Sequence, residues 1–180
     1  METSDENLVA AANQGDGQAF SLLLSRHYDL IFRLGFRILG SKADAEDLAQ
    51  DICVELPGKL AGFRAEAKFT SWLHRVIVNA ARDRMRRSGT RNKAADGWGE
   101  VELMRRAEAK EARDGLDWLQ TAMTQLDDDL RETVALVLGE EMTHAAAAEV
   151  LHISEGTVSW RMSQVKKALR AMAEDEEMFG

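Results

Sequence analysis

Apolar residues along this chain recur at intervals of three and four rather than in alternation, so the pattern predicts helices and no sheet. A short helix near Leu8–Asn13 is broken by "QGDG", and Phe20, Leu23, Leu24, Ile31, Leu34 and Ile38 then trace one face of a long helix that Gly40 stops. Ser41 is placed to cap the next helix, with Asp44 three residues on; Ala45, Leu48, Ala49, Ile52, Cys53 and Leu56 form its apolar stripe. The Pro57-Gly58 pair predicts the end of that helix, because proline disfavours helical geometry at the residue before it. After a loop, "KLAGFRAEAK", the residues Phe69, Trp72, Leu73, Val76, Ile77, Ala80 and Ala81 mark a fourth amphipathic helix with a basic outer face.

The pattern lapses between Ser88 and about Asp114, the expected domain boundary. A second helical group follows, opened by Leu116, Leu119, Met123 and Leu126. It continues through "LDDDLRETVALVL", where Asp127 or Asp128 is a candidate cap, and closes with two helices meeting at Leu151–Ser154. The predicted fold is therefore all-α: two small helical domains, 1–91 and 113–180, joined by a flexible linker at 92–112.

Composition narrows the class. One proline and 45% apolar residues in 180 are compatible with helical globular domains, and no run of apolar residues is long enough to span a membrane or mark export. With a single cysteine, Cys53, no intrachain disulfide can form, and a cytoplasmic location is expected. The formal net charge of −8 is unevenly spread: residues 64–93 are strongly basic, while 94–153 carry most of the acidity.

Three segments carry candidate chemistry. In "DAEDLAQD", Asp44, Asp47 and Asp51 fall on one helix face with Glu46 and Gln50 beside them, a solvated charge run or a docking surface for a basic partner. In "FRAEAKFTSWLHRVIVNAARDRMRR", Arg64, Lys68, Arg75, Arg82, Arg84, Arg86 and Arg87 accompany Phe63, Phe69 and Trp72. That mixture suits single-stranded nucleic acid held by charge and stacking, although Phe69 and Trp72 also lie on the core stripe. In "LHISEGTVSWRMSQVKKALR", Ala147 and Ala148 permit close helix approach, Leu151 and Ile153 flank a tight turn, and Val158, Met162, Val165 and Leu169 face inward. This is a helix-turn-helix pattern, whose outward face presents Thr157, Ser159, Trp160, Arg161, Gln164 and Lys167. Arg161 is a candidate for a guanine edge, and Lys166, Lys167 and Arg170 for phosphate.

These segments, in this order and spacing, resemble the extracytoplasmic-function sigma factors of the sigma-70 family. The resemblance implies that 1–91 is a region 2 domain, which binds core RNA polymerase and recognises and melts the −10 promoter element. It likewise implies that 113–180 is a region 4 domain reading the −35 element. Carried over, Asp44, Glu46, Asp47, Gln50 and Asp51 match the polymerase-binding motif. Phe63, Arg64, Glu66, Lys68 and Phe69 match the loop that captures a flipped promoter base, with Asn79 near its pocket and Arg75, Arg82 and Arg86 on the basic helix behind. Glu155, Thr157, Ser159, Trp160, Arg161, Gln164, Lys166 and Lys167 match the −35-reading helix. The partners implied are core RNA polymerase, promoter DNA and an anti-sigma factor; the chain itself is expected to be a non-enzymatic monomer when free, without membrane contact, cofactor or metal. The chain departs from the family at "FRAEAKF", where glycine and serine are common, at His152 in place of a turn glycine, and at Trp160. A stand-alone helix-turn-helix regulator with a protein-binding N-terminal half is the alternative, and binding to core polymerase separates the two.

Overall fold

The computed structural model describes residues 3–89 and 110–179, with side chains described over 3–88 and 118–175. Within them the chain is helical and has no strand. The first domain comprises α1 (Asp5–Asn13), α2 (Gly17–Leu39), α3 (Lys42–Leu60) and α4 (Phe69–Gly89). Short polar side chains start the first three: Ser4 accepts from the Asn7 N–H, Asp16 from Gln18 and Ala19, and Ser41 from Asp44. Gly40 closes α2 in the left-handed conformation, the role the sequence assigns it.

The three long helices bury one continuous stripe each. Leu23, Ile31, Leu34 and Ile38 from α2 meet Leu48, Ile52, Leu56 and Leu60 from α3 and Phe69, Leu73 and Ile77 from α4, none more than 2% exposed. Where α2 and α3 come closest, a Cβ on Gly35 would lie 2.8 Å from Leu48 Cδ2, so the bare α-carbon sets that spacing. One expectation fails here: α3 runs through Pro57 and Gly58 to Leu60. Leu56 and Leu60, each 1% exposed, pin the turn to the core on both sides of the proline, whereas Pro57 and Gly58 stand on the solvent side. Burial there outweighs the one backbone hydrogen bond that proline cannot make.

The second domain comprises α5 (Lys110–Gln125), α6 (Asp128–Val134), α7 (His144–Leu151) and α8 (Glu155–Phe179). The predicted linker, 92–112, lies outside the described residues up to 109, and α5 begins at Lys110, ahead of its apolar pattern. Asp127 precedes α6 but makes no capping hydrogen bond with its side chain. The single helix expected over "LDDDLRETVALVL" widens into a π-turn at Ala135–Gly139, which leaves Leu136 buried and Leu138 64% exposed.

The helix pair α7–α8 has the predicted interior: Ala147, Ala148, Leu151, Val158, Met162 and Val165 are all buried. Its turn is a helix C-cap in which His152 adopts φ 56°, ψ 44° and donates its N–H to the Ala148 carbonyl, while Ile153 donates to the same oxygen. The domains also touch: α2 packs on α6 and the π-turn, and α4 on α7.

A left-handed histidine costs about 1–2 kcal/mol, partly offset because glycine loses more chain entropy on folding. His152→Gly is therefore expected to raise stability by up to about 1 kcal/mol. A urea midpoint lower than that of the parent would contradict strain at this turn.

Candidate functional site

The acidic face of α3 is more ordered than a solvated charge run. Arg84, from the last turns of α4, reaches across and donates to Asp44 from Nε (3.3 Å), to Asp47 from Nη2 (2.8 Å) and to Asp51 from Nη1 (3.2 Å). One guanidinium thus fixes three carboxylates spaced at i, i+3 and i+7. Each aspartate remains about half exposed or more, so the face keeps a net negative charge with free lone pairs outward. Glu46 and Gln50 are exposed on the same helix, and Glu46 lies 3.7 Å from Lys42. The sequence had grouped Arg84 with the nucleic-acid-facing arginines; the structure gives it to the acidic face instead.

The loop between α3 and α4 leaves an aromatic anchor and returns to it. Phe63 packs its ring 5.7 Å from Phe69 and 5.5 Å from Trp72, with Phe69 and Trp72 also 5.5 Å apart. Phe69 is buried, as its place on the stripe predicts, and Phe63 and Trp72 are half-buried. Between the anchors Arg64, Glu66 and Lys68 are exposed, and Ala65 turns the chain with φ 55°. Asn79 is exposed on the outer face of α4 with Arg86, which pairs with Asp83. Arg75 and Arg82, on the same helix, are not open to solvent in this way: Arg75 Nη2 donates to the Glu149 carbonyl and Arg82 binds Glu132 through Nε (2.7 Å) and Nη2 (2.6 Å). The hydrogen bond to Glu132 holds the Arg82 guanidinium above its usual range.

On α8, Ser154 caps the helix through the Thr157 N–H and meets the Thr157 hydroxyl at 2.8 Å. Ser159 meets His144 Nδ1 at 2.9 Å. Glu155, Ser159, Trp160, Lys166 and Lys167 are exposed; Thr157 and Gln164 are half-buried. Trp160, at 60% exposure, is the most prominent apolar surface among the described side chains of the helix. Arg161 is the correction. The sequence pattern puts it outward, but its side chain is 11% exposed and turns under α8 to Asp129 (2.8 Å), Glu132 (3.3 Å) and Thr133 Oγ1 (3.3 Å) of α6. Glu132, 1% exposed, needs that cation, and Arg161 supplies it from within the same domain.

Residues the sequence reading missed lie between the domains. Glu140, whose side chain is 7% exposed, accepts from Arg33 Nε (3.2 Å) and Nη2 (3.0 Å) and from Arg37 Nη1 (2.5 Å). Arg37 Nη1 also donates to the Gly139 carbonyl. His74 donates from Nδ1 to the Thr70 carbonyl at 2.6 Å, and its Nε2 faces Glu140 at 3.7 Å. Burial keeps that imidazole below its usual range, hence neutral at pH 7. The legible signal for Glu132 was its position one turn before Ala135 and Leu136, on the face that the apolar run from Val134 continues.

Among the described residues no group of three or more His, Cys, Asp or Glu could hold a metal ion, and no helix is long and apolar enough to cross a membrane. The geometry thus defines an acidic face on α3, a basic helix behind an anchored loop, and a helix-turn-helix. Family models for sigma-70 region 2 and sigma-70 region 4 match residues 23–91 and 116–169. The chain is 32% identical over 170 residues to the ECF RNA polymerase sigma factor SigM of Mycobacterium tuberculosis H37Rv, covering 93% of this chain and 84% of that protein. It is 25% identical to SigW of Bacillus subtilis strain 168, covering 97% and 100%. The solved structure of CnrH in complex with the cytosolic domain of CnrY superposes with a TM-score of 0.70 at 26% identity, covering 96% of this chain and 99% of that one. The chain belongs to the extracytoplasmic-function RNA polymerase sigma factors of the sigma-70 family, promoter-directing transcription initiation factors.

The buried position of Arg161 makes it a structural residue of region 4. Arg161→Ala leaves Asp129 unpaired and removes one of the two cations on Glu132, with an expected loss of about 2–4 kcal/mol in urea unfolding. A loss below about 0.5 kcal/mol, the range of ordinary surface substitutions, would return Arg161 to a surface role.

Proposed function

We propose that residues 1–91 dock on core RNA polymerase through the α3 face and open the −10 element with the loop 63–69. In the same reading 113–180 hold the −35 element with α8, and 92–112 link the two domains. The observation that carries this is the pairing of opposite surfaces on one small domain. Three carboxylates held in register by Arg84 suit a basic helix of a protein partner. An exposed loop tied down by Phe63 and Phe69 and carrying Arg64 and Lys68, with Asn79 exposed further along α4, suits an unstacked base and its phosphates. The overall acidity is no obstacle, since polymerase brings the basic surfaces to DNA and the long-range field need not do so.

On α8 the reading changes with the structure. With Arg161 committed to α6, contact with base edges falls to Trp160, Ser159 and Gln164, and contact with phosphate to Lys166 and Lys167. An anti-sigma factor belongs to the proposal as a protein partner, by analogy with CnrH, whose solved structure contains the cytosolic domain of CnrY. The chain is proposed to act in the cytoplasm, as a monomer when free and without catalysis of its own.

Two experiments test the two surfaces separately. Reversing Asp47 and Asp51 to arginine replaces attraction by like-charge opposition, worth several kcal/mol at an interface, and is expected to abolish co-purification with core polymerase while helicity is kept. A helical double variant that still co-purifies removes the docking assignment. Exchanging residues 64–68 for glycine and serine is expected to preserve polymerase binding yet eliminate permanganate-reactive thymines near the start site. Unaltered reactivity would make the loop a connector.

A further inference from the structure

The loop between α3 and α4 is held at both ends by one short helix. At its start, the carbonyl of Leu60, the last residue of α3, accepts from the Phe63 N–H at 3.0 Å and from Asn13 Nδ2 at 3.1 Å. Asn13 is the last residue of α1, 47 residues earlier in the chain. At the other end, the Phe69 ring meets Phe63 and Trp72 and also His27 of α2, edge to face with centroids 5.2 Å apart. His27 Nε2 lies 2.8 Å from Oδ2 of Asp5, in the first turn of α1. A carboxylate has no proton to give, so Nε2 is the donor and Asp5 sets the orientation of the ring. Arg26 holds the other oxygen of that carboxylate at 3.1 Å and is itself tied to the Thr3 carbonyl.

We propose that α1 positions the promoter-opening loop: Asn13 through the Leu60 carbonyl, and Asp5 through His27 and Phe69, fix its two ends and so govern opening without touching DNA. The inference rests on the assignment of the loop to promoter opening made above. Asp5 and Asn13 are the first and last residues of α1, about 12 Å apart along its axis, so a single rigid element reaches both ends. Leu8 and Val9, both buried, seat that element on α2 and α3. The region 2 family model begins its match at residue 23, and α1 stands ahead of the residues it covers.

Between its ends the loop has little of its own to hold it. The side chains of Arg64, Glu66 and Lys68 make no hydrogen bond or ion pair among the described residues, and Ala65 turns the chain with φ 55°. A loop that accepts an unstacked base loses conformational freedom as it does so, and ordering completed beforehand lowers that cost. Tethering both ends does part of this ordering while leaving the charged side chains free for the strand. If the loop were a passive connector, the same contacts would only seat α1. Their loss would then lower stability and leave opening by the bound factor unaltered.

The test uses holoenzyme assembled from core polymerase and the full chain, on a promoter duplex selected from random sequence by the parent holoenzyme. Asn13→Ala combined with His27→Ala removes both supports. Permanganate reactivity of thymines near the start site reads opening. Run-off transcription is compared between this duplex and a copy mismatched across the −10 element, which needs no opening. Expected are normal co-purification with polymerase, a loss on the order of tenfold in opening and transcription on the duplex, as one hydrogen bond's free energy produces, and transcription within about twofold of the parent on the mismatched copy. Undiminished opening of the duplex overturns the proposal. An equal loss of transcription on both templates overturns it too, since α1 would then serve the fold alone. Should the double variant lose helicity, Asn13→Ala, at an exposed position with one bond to lose, carries the same comparison with an expected loss of about threefold. The exchange of residues 64–68 separates this inference from its premise. Opening that survives that exchange rejects the loop and the inference together, whereas opening lost there but kept in the α1 variant rejects the inference alone.

Discussion

The carboxylate of Glu132 has almost no access to water, and two arginines meet on it, Arg161 from its own domain and Arg82 from the other. A buried anion of this kind is tolerable only while it is paired, which makes this one group answerable for two levels of organisation. Through Arg161 it fixes α8 against α6 and so sets the angle at which the helix-turn-helix presents Trp160 and its neighbours. Through Arg82 it fixes how region 4 lies on region 2. Arg131, beside it in sequence, works in the same sense by donating to the carbonyls of Met123, Thr124 and Leu126 at the end of α5. The desolvation of that cation lowers its affinity for its proton, but an arginine remains charged at any physiological pH.

The apolar framework was legible in the sequence because it is periodic. Leu60 and Val78 apart, the large buried side chains of α2, α3 and α4 are the ones that spacings of three and four select, and Ser41, Gly40 and Ser154 act where short-range rules put them. Pro57 misled because a local rule was read without knowing that Leu56 and Leu60 are both held by the core. The π-turn at Ala135–Gly139 left no signal either, since widening a helix by one residue does not change which residue types are apolar.

Charged residues were legible as a class but not as pairs. Composition locates basic and acidic segments, yet nothing in it says that Arg84 turns to the aspartates of α3, that Arg161 turns inward, or that Arg33 and Arg37 wait for Glu140 across more than a hundred residues. Long flexible side chains choose partners only once the backbone has been placed, so their assignments are tertiary facts. The family resemblance assigns surfaces to helices and loops; which arginine is open to a partner and which serves the fold is decided by burial.

Arg84 has a consequence at the level of sequence change. Because one guanidinium spans Asp44, Asp47 and Asp51, these four positions are not independent: losing the arginine leaves three carboxylates crowded on one helix face, and losing any one aspartate frees an arginine group to recruit the others more tightly. Substitutions across this face should therefore be strongly epistatic, with the effect of each depending on what stands at the other three. A drift at residue 84, on the next helix along the chain, would be felt at this acidic face first.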